Sequence, residues 1–228
     1  MRDPELHTTG YYHVFNRGTD KRSIFEKQID YLEFYEGLYL YSDKNYQNPE
    51  GRFMIRASEL AGSEVYQMDR DPLVKILSFN LVGNHYHLFL QQLQDGGISK
   101  FIHRLQKTYS LNFNNRNDRK GTLFESSFKA RHIDNDAYFL HISRYIHLNA
   151  LDLQFPEWRE GWIKDWKSAE KVLNSHRWSS HHTYLEKPQS LPLIDESFIK
   201  SQFPTIDIYM KFLSSWAGSG YMQDLPDR

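Results

Sequence analysis

The chain has 228 residues, 39% hydrophobic, 25% charged and 15% aromatic, with a formal net charge of −1 and no cysteine. This balance fits one globular domain, with or without an appendage, and excludes disordered and fibrous classes. Without cysteine there are no disulfides and no thiolate metal sites, and a reducing compartment is the simpler setting.

The opening MRDPELHTTG carries no apolar signal core, and no apolar run reaches membrane-spanning length, so the cytoplasm is the expected location. Residues 11–18, YYHVFNRG, are rich in aromatic residues and stop at Gly18, which predicts a strand. QIDYLEFYEGLYLYS places Ile29, Leu32, Phe34, Tyr35, Leu38 and Tyr39 near helical spacing, which predicts a helix. Residues 42–70 are polar, contain NPEG, and read as a long loop or insertion with a short helix around residues 57–60. PLVKILSFNLV is a strand, Gly83-Asn84 a turn, and HYHLFLQQ the returning strand of a hairpin. DGG at 95–97 breaks the chain before a helix over residues 98–115 with the apolar stripe Phe101, Ile102, Leu105 and Tyr109.

A basic turn, NNRNDRKG, precedes TLFESSFKARHI, which holds a short strand. An amphipathic helix follows, capped by Asp134 or Asn135 and carrying Tyr138, Phe139, Ile142, Tyr145 and Ile146. Beyond residue 153, two aromatic segments, FPEWREGWIKDW and HRWSSHHTYL, lead to short helices at 195–202 and 206–216. The expected organisation is a body over residues 1–152, with 42–70 as an insertion, and a C-terminal, mostly helical or irregular appendage over 153–228 packed on it. The element order predicts an α+β, ferredoxin-like antiparallel sheet with helices packed on one side.

Charge is uneven. Residues 99–131 hold Lys100, Arg104, Lys107, Arg116, Arg119, Lys120, Lys129 and Arg131 against Asp118 and Glu125, a local net charge of +6. Such a face meets phosphates or is simply solvated, and charge alone leaves both open. In the second hairpin strand His85 and His87 are two apart and point to one side, where two imidazoles can share a divalent cation or form a polar stripe. Tyr145 and Asn149 are four apart on a helix, one turn above each other. Tyr145 fits a nucleophile or a core residue, and Asn149 carries an amide oxygen suited to a metal. Tyr109 continues the stripe of Leu105 and Phe101 and is assigned to the core, while His141 and His147 are expected to face solvent or phosphate.

Five stretches in this order, YYHVFNRGTDKRSIF, LVGNHYHLFL, FIHRLQKTYSLNFNNRNDRKGTLFESSFKA, YFLHISRYIHLNAL and HRWSSHHTYL, resemble the HUH single-tyrosine transposases of insertion sequences, and most closely the REP-associated tyrosine transposases. The resemblance implies that His85 and His87 are the paired metal ligands, Asn149 the third ligand and Tyr145 the catalytic nucleophile. It implies a divalent ion, Mg²⁺ or Mn²⁺, and nicking and rejoining of hairpin-forming single-stranded DNA through a 5′-phosphotyrosine. The alternative is a domesticated hairpin-DNA-binding regulator with little catalysis. Asn16, Arg17, Arg104, Lys107, Arg116, Arg119, Lys120, Lys129 and Arg131 are the candidates for contacts to DNA. The REP-associated branch implies a monomer, the insertion-sequence branch a dimer, and the C-terminal appendage together with Asn149 favours the monomer. The family's proline after the asparagine is here Ala150, which permits a continued helix, and its basic GRF-like stretch is here SSFKAR, which moves or removes one basic contact.

Overall fold

The computed structural model describes residues 5–46 and 70–216, so most of the 42–70 insertion and its expected short helix lie outside the described residues. Four strands form one sheet: β1 (Tyr11–Arg17), β2 (Val74–Val82), β3 (His85–Gln92) and β4 (Lys129–Ile133), in the order β2-β3-β1-β4 with every pairing antiparallel. With helices α1 (Gln28–Tyr41) and α2 (Gly97–Arg116) between them, this is the expected α+β, ferredoxin-like arrangement.

Each turn has a local cause. The β2–β3 hairpin closes over Gly83-Asn84, and strict pairing then sets His87 opposite Asn80 on one side and Phe15 on the other. Helix α1 starts where the Asp30 carboxylate accepts the backbone N–H groups of Glu26 and Lys27 at 3.0 and 2.8 Å. At the DGG break Gly96 takes φ +63°, and a Cβ on Gly97 would stand 2.4 Å from the Leu73 carbonyl oxygen. Only glycine permits that approach.

Alternation along the strands separates two faces. On one, Tyr86 packs against Phe34 of α1 and accepts a hydrogen bond from Gln106 of α2 at 2.8 Å. Phe101, Ile102, Leu105 and Tyr109 are buried there, each contributing roughly 1.5–3 kcal/mol. On the other face lies α3 (Asp136–Leu148): Phe139 packs edge-to-face against Phe89, and Asn80 donates to the Ile146 carbonyl at 2.7 Å. Helices therefore cover both faces rather than the one expected. The near-continuous burial of β2 follows from this, since a strand covered on both sides has no wet positions to alternate with.

The C-terminal segment folds back over α3 and the β2 edge. It contributes α4 (Trp166–Ser175), α5 (His181–Tyr184), α6 (Glu196–Gln202) and α7 (Ile206–Ser214). Helix α4 was not expected; the Asp165 carboxylate caps it, and Ala169 and Leu173 bury its inner side. Trp178 and Ser180 take up the β2 edge, with the N–H of Leu81 donating to the Trp178 carbonyl at 2.9 Å and that of Ser180 to the Phe79 carbonyl at 3.0 Å. That pairing blunts an edge otherwise open to association.

This cover corrects one expectation. His147 is fully buried, hydrogen-bonded to Ser180 Oγ at 2.7 Å and to the Tyr209 hydroxyl at 2.9 Å. Tyr209 in turn bonds His181 at 2.6 Å. His141 is half-buried and bonded to Arg144, whose guanidinium lies over Phe212 and Trp216 and donates to the Phe212 carbonyl at 2.8 Å. Both histidines face the returning C-terminal segment, not solvent.

Candidate active site

His85 and His87 lie on the α3 side of β3, with Tyr86 turned to the other face. The His87 ring lies 4.9 Å from His85, 5.0 Å from His13 of β1 and 5.5 Å from the Tyr145 ring of α3, centre to centre. Asn149 follows α3 by one residue, in the short 3₁₀ turn Asn149–Leu151 that carries the helix onward through Ala150. Its side-chain amide donates to the Tyr145 carbonyl at 2.7 Å, and its side chain also hydrogen-bonds His87. Strand β3 and helix α3 thus bring His85, His87, Asn149 and Tyr145 together.

His87 is completely buried, and burial, then the neighbouring His85, His13 and Arg159, push its pKa well below the ordinary histidine range against the opposing Asn149 bond. The ring is neutral at physiological pH, the form that ligates a metal. His13 Nε2 and His87 Nδ1 are 2.8 Å apart, so His13 holds the ring orientation and leaves Nε2 as the nitrogen directed elsewhere. Burial and the charge of Arg131 lower His13 itself to about 3.

Besides His13, two residues beyond the expected set complete the site. Asp152, at the end of the 3₁₀ turn, places a carboxylate oxygen 4.0 Å from His85 Nε2. Arg159, on the 3₁₀ turn Pro156–Glu160, donates to that carboxylate through Nε at 3.0 Å and Nη2 at 2.7 Å. It also donates to the Asn149 oxygen at 2.8 Å and to the Tyr145 hydroxyl at 3.4 Å. Burial works against its charge, but bonding to Asp152 and the interaction with Tyr145 outweigh that and raise its pKa above the ordinary arginine value. The sequence offered only weak signals for these groups: His13 shares the alternation of β1 with Phe15, while Asp152 and Arg159 sit in segments without a period.

A cavity of about 310 Å³ opens on the site, and His85, His87, Asp152, Arg159, Arg17 and Lys129 are among its walls. Tyr145 and Asn149 lie behind this lining, 1% and 0% exposed. The donors suit a divalent ion in kind: imidazole nitrogen with carboxamide and carboxylate oxygen, the mixture that first-row divalent metals accept. The hydrogen bond between His87 and Asn149 shows two of these donors already facing one another. Among the described residues no group of three His, Cys, Asp or Glu side chains converges as a metal site, so Asn149 is needed to make a third donor.

The basic residues divide. Lys129 and Arg131 are exposed on β4, opposite Phe15 and His13 and therefore on the site's face. Lys129 also borders a second cavity of about 980 Å³ whose walls include Lys100, His103 and Arg104. Lys107 and Lys120 are exposed, and Arg104 donates to the Asp43 carbonyl at 3.1 Å. Arg17 is paired with Glu125, and buried Asn16 donates to the Ser126 carbonyl at 2.8 Å, so both tie the loop before β4 to the sheet. Arg119 holds its own turn through Asn114 and Thr122. Arg116 is spent inside, on Asp30 at 2.9 Å and on Glu33, across the sheet from the site. Tyr109 is in the core as expected, bonded to the Ile24 carbonyl, and burial raises its pKa far above the ordinary phenol value.

The family described as "Transposase IS200 like" matches residues 59–149, a span that includes His85, His87, Tyr145 and Asn149 and ends before Asp152 and Arg159. The match supports the resemblance read from the sequence and, with it, a transposase role. No curated protein matches the chain. Among solved structures, the REP-associated tyrosine transposase bound to a REP hairpin shares the fold at a TM-score of 0.51 and 11% identity, over 86% of this chain and 92% of that one. A protein described as a transposase from Deinococcus radiodurans R1 aligns at a TM-score of 0.33 and 12% identity, over 64% of this chain and 95% of that one, too weak a likeness to carry an argument. No described helix is long and apolar enough to cross a membrane.

Proposed function

We propose that this chain, similar to IS200-like transposases over its central segment, nicks and rejoins single-stranded DNA through a covalent bond to Tyr145. The observation that carries the reading is the meeting of the Tyr145 phenol, the His87 ring and the Asn149 side chain across the β3–α3 interface, beside a cavity with Lys129 at its rim.

In this reading Tyr145 is the nucleophile. Its oxygen attacks the scissile phosphorus, displaces a 3′-oxygen and forms a 5′-phosphotyrosine. A phenol with a pKa of roughly 10 is a better leaving group than a sugar alcohol, so the linkage stays reactive and a later 3′-OH rejoins the strand without a nucleotide cofactor. His85, His87 and Asn149 would hold the divalent ion, Mg²⁺ or Mn²⁺, which when bound polarises a phosphate oxygen. His13 keeps the His87 ring turned to that task, and the carboxylate of Asp152 lowers the cost of gathering cations here. Lys129 and Arg131 lie where a strand entering the cavity would pass, and Lys100, His103 and Arg104, on the walls of the neighbouring groove, offer further cations to its backbone. The related transposase bound to a REP hairpin makes a DNA hairpin the first substrate to try.

The test is a denaturing gel with a labelled hairpin oligonucleotide. Wild-type protein gives a slow-migrating covalent species with Mn²⁺ or Mg²⁺ and none with EDTA. Tyr145→Phe gives none while still shifting the oligonucleotide on a native gel. An adduct from Tyr145→Phe sinks the assignment. The burial of Tyr145 favours a second reading, a hairpin-binding regulator without catalysis, and a wild-type protein that shifts the hairpin yet never forms the adduct decides for it.

A further inference from the structure

We propose that Arg159 is a catalytic residue of this site, an inference that rests on the Tyr145 reading above: its guanidinium touches the nucleophilic oxygen and carries the phosphate to it. The residue comes from the C-terminal segment, beyond the span that matches the transposase family.

The argument begins with donors. A guanidinium has five N–H groups in one plane. Nε and Nη2 meet the two oxygens of Asp152 at 3.0 and 2.7 Å, a forked pairing that fixes the plane. Nη2 also reaches the Asn149 oxygen at 2.8 Å, and Nη1 reaches the Tyr145 hydroxyl at 3.4 Å. These contacts take four of the five N–H groups and leave one on Nη1, the nitrogen beside the phenol. The plane is held from below as well, with the guanidinium carbon 4.9 Å above the Trp158 ring.

The second part is exposure. Arg159 keeps 33% of its side chain open and lines the cavity, whereas Tyr145 lies behind it. A phosphate entering from the cavity meets the guanidinium first and the phenol oxygen directly beyond. A purely structural arginine has no need to face the cavity while touching that oxygen. Asp152 is then a positioning residue, since it reaches the phenol only through Arg159.

The chemistry balances. The phenol proton leaves to solvent. The bond between the Tyr145 oxygen and phosphorus forms as the bond from phosphorus to O3′ breaks, and the electron pair stays on O3′, which takes a proton from water. Negative charge grows on the phosphate oxygens and on O3′ along the way, and a fixed cation beside the phosphate stabilises it more than it stabilises the resting phenol.

The experiment follows covalent-adduct formation on the hairpin oligonucleotide under single-turnover conditions, for wild type, Arg159→Ala and Arg159→Lys, with melting temperature and hairpin affinity measured alongside. Arg159→Ala is expected to slow adduct formation about 100- to 1,000-fold, the loss seen for removal of one charge-stabilising donor, with hairpin affinity changed less than about threefold. Guanidinium chloride added below denaturing concentration restores about tenfold or more, because a small cation fills the vacated place; a structural role gives no such rescue. Arg159→Lys keeps the charge without the fork and falls between, and it guards against a variant that fails to fold. A wild-type rate in Arg159→Ala, a faster rate, or a slow rate that guanidinium does not restore each overturns the proposal. Absence of the adduct in the wild type fails the Tyr145 reading itself, and an adduct that forms without regard to Arg159 fails this inference alone.

Discussion

Acidification should destabilise the packing of the C-terminal segment on the body. His147, His176 and His181 clamp that segment: His147 and His181 flank Tyr209, and His176 bonds Asn80 of β2 at 2.8 Å. Burial lowers all three pKa values, His176 to about 4, His181 to about 3, and His147 well below its ordinary range, with neighbouring histidine charge adding to each. The sign is that of a depressed histidine. The unfolded chain takes up a proton near its ordinary pKa of about 6.5 and the folded chain does not, so the stabilisation is complete above that pH and is lost as pH falls below it. Between pH 7 and pH 5 each such histidine costs about 2 kcal/mol by this linkage, about 6 kcal/mol for the three. A domain of total stability roughly 5–15 kcal/mol loses a large share of it over that interval. Tryptophan fluorescence reads the event, because Trp158 and Trp216 are buried where this segment packs and the N–H of Trp216 donates to the Trp158 carbonyl at 2.7 Å. The expected result is a reversible transition near pH 5 that takes up about three protons. Urea stability that stays flat from pH 7 to pH 5, or a transition linked to less than one proton, refutes the reasoning.

His13→Ala removes the imidazole that orients His87, and Mn²⁺ affinity, read by electron paramagnetic resonance, should fall about 10- to 100-fold with the fold intact. Lys129→Ala should weaken hairpin binding across all sequences and reduce the slope of log affinity against log salt by about 1, as loss of one phosphate contact requires. Arg116→Met should do the reverse. Hairpin affinity stays unchanged, while urea denaturation shows a loss of about 3–5 kcal/mol, because Asp30 and Glu33 are left buried without their cation.

Much of the architecture was legible in local pattern. The alternation of YYHVFNR and HYHLFLQQ, the Gly-Asn turn between two apolar runs, and the stripe of α2 each depend on neighbours close in sequence, and each element formed within a residue or two of its expected limits. Helix α4 was also legible, in the helical spacing of Trp166, Ala169, Val172 and Leu173 behind the capping Asp165, but the tryptophans crowded before it drew the reading to an irregular aromatic segment. His147 misled for a different reason. A histidine in an amphipathic helix has no sign that marks it as buried, and its partners, Ser180 and Tyr209, lie 33 and 62 residues away.

The sequence by itself determined the pairs within each element of the candidate site. Two residues apart on a strand puts His85 and His87 on one side, and four apart at a helix end puts Asn149 against Tyr145. Tertiary structure decided everything that joins one pair to the other. The sheet order β2-β3-β1-β4 sets His13 beside His87, helix α3 lies on the face that His85 and His87 share, and the chain's return at Pro156–Glu160 brings Arg159 to the phenol. Local periodicity reports which side of an element a residue occupies. Which other element comes to cover that side is settled by the burial of the whole core, a cooperative choice among distant segments that no window of the sequence contains.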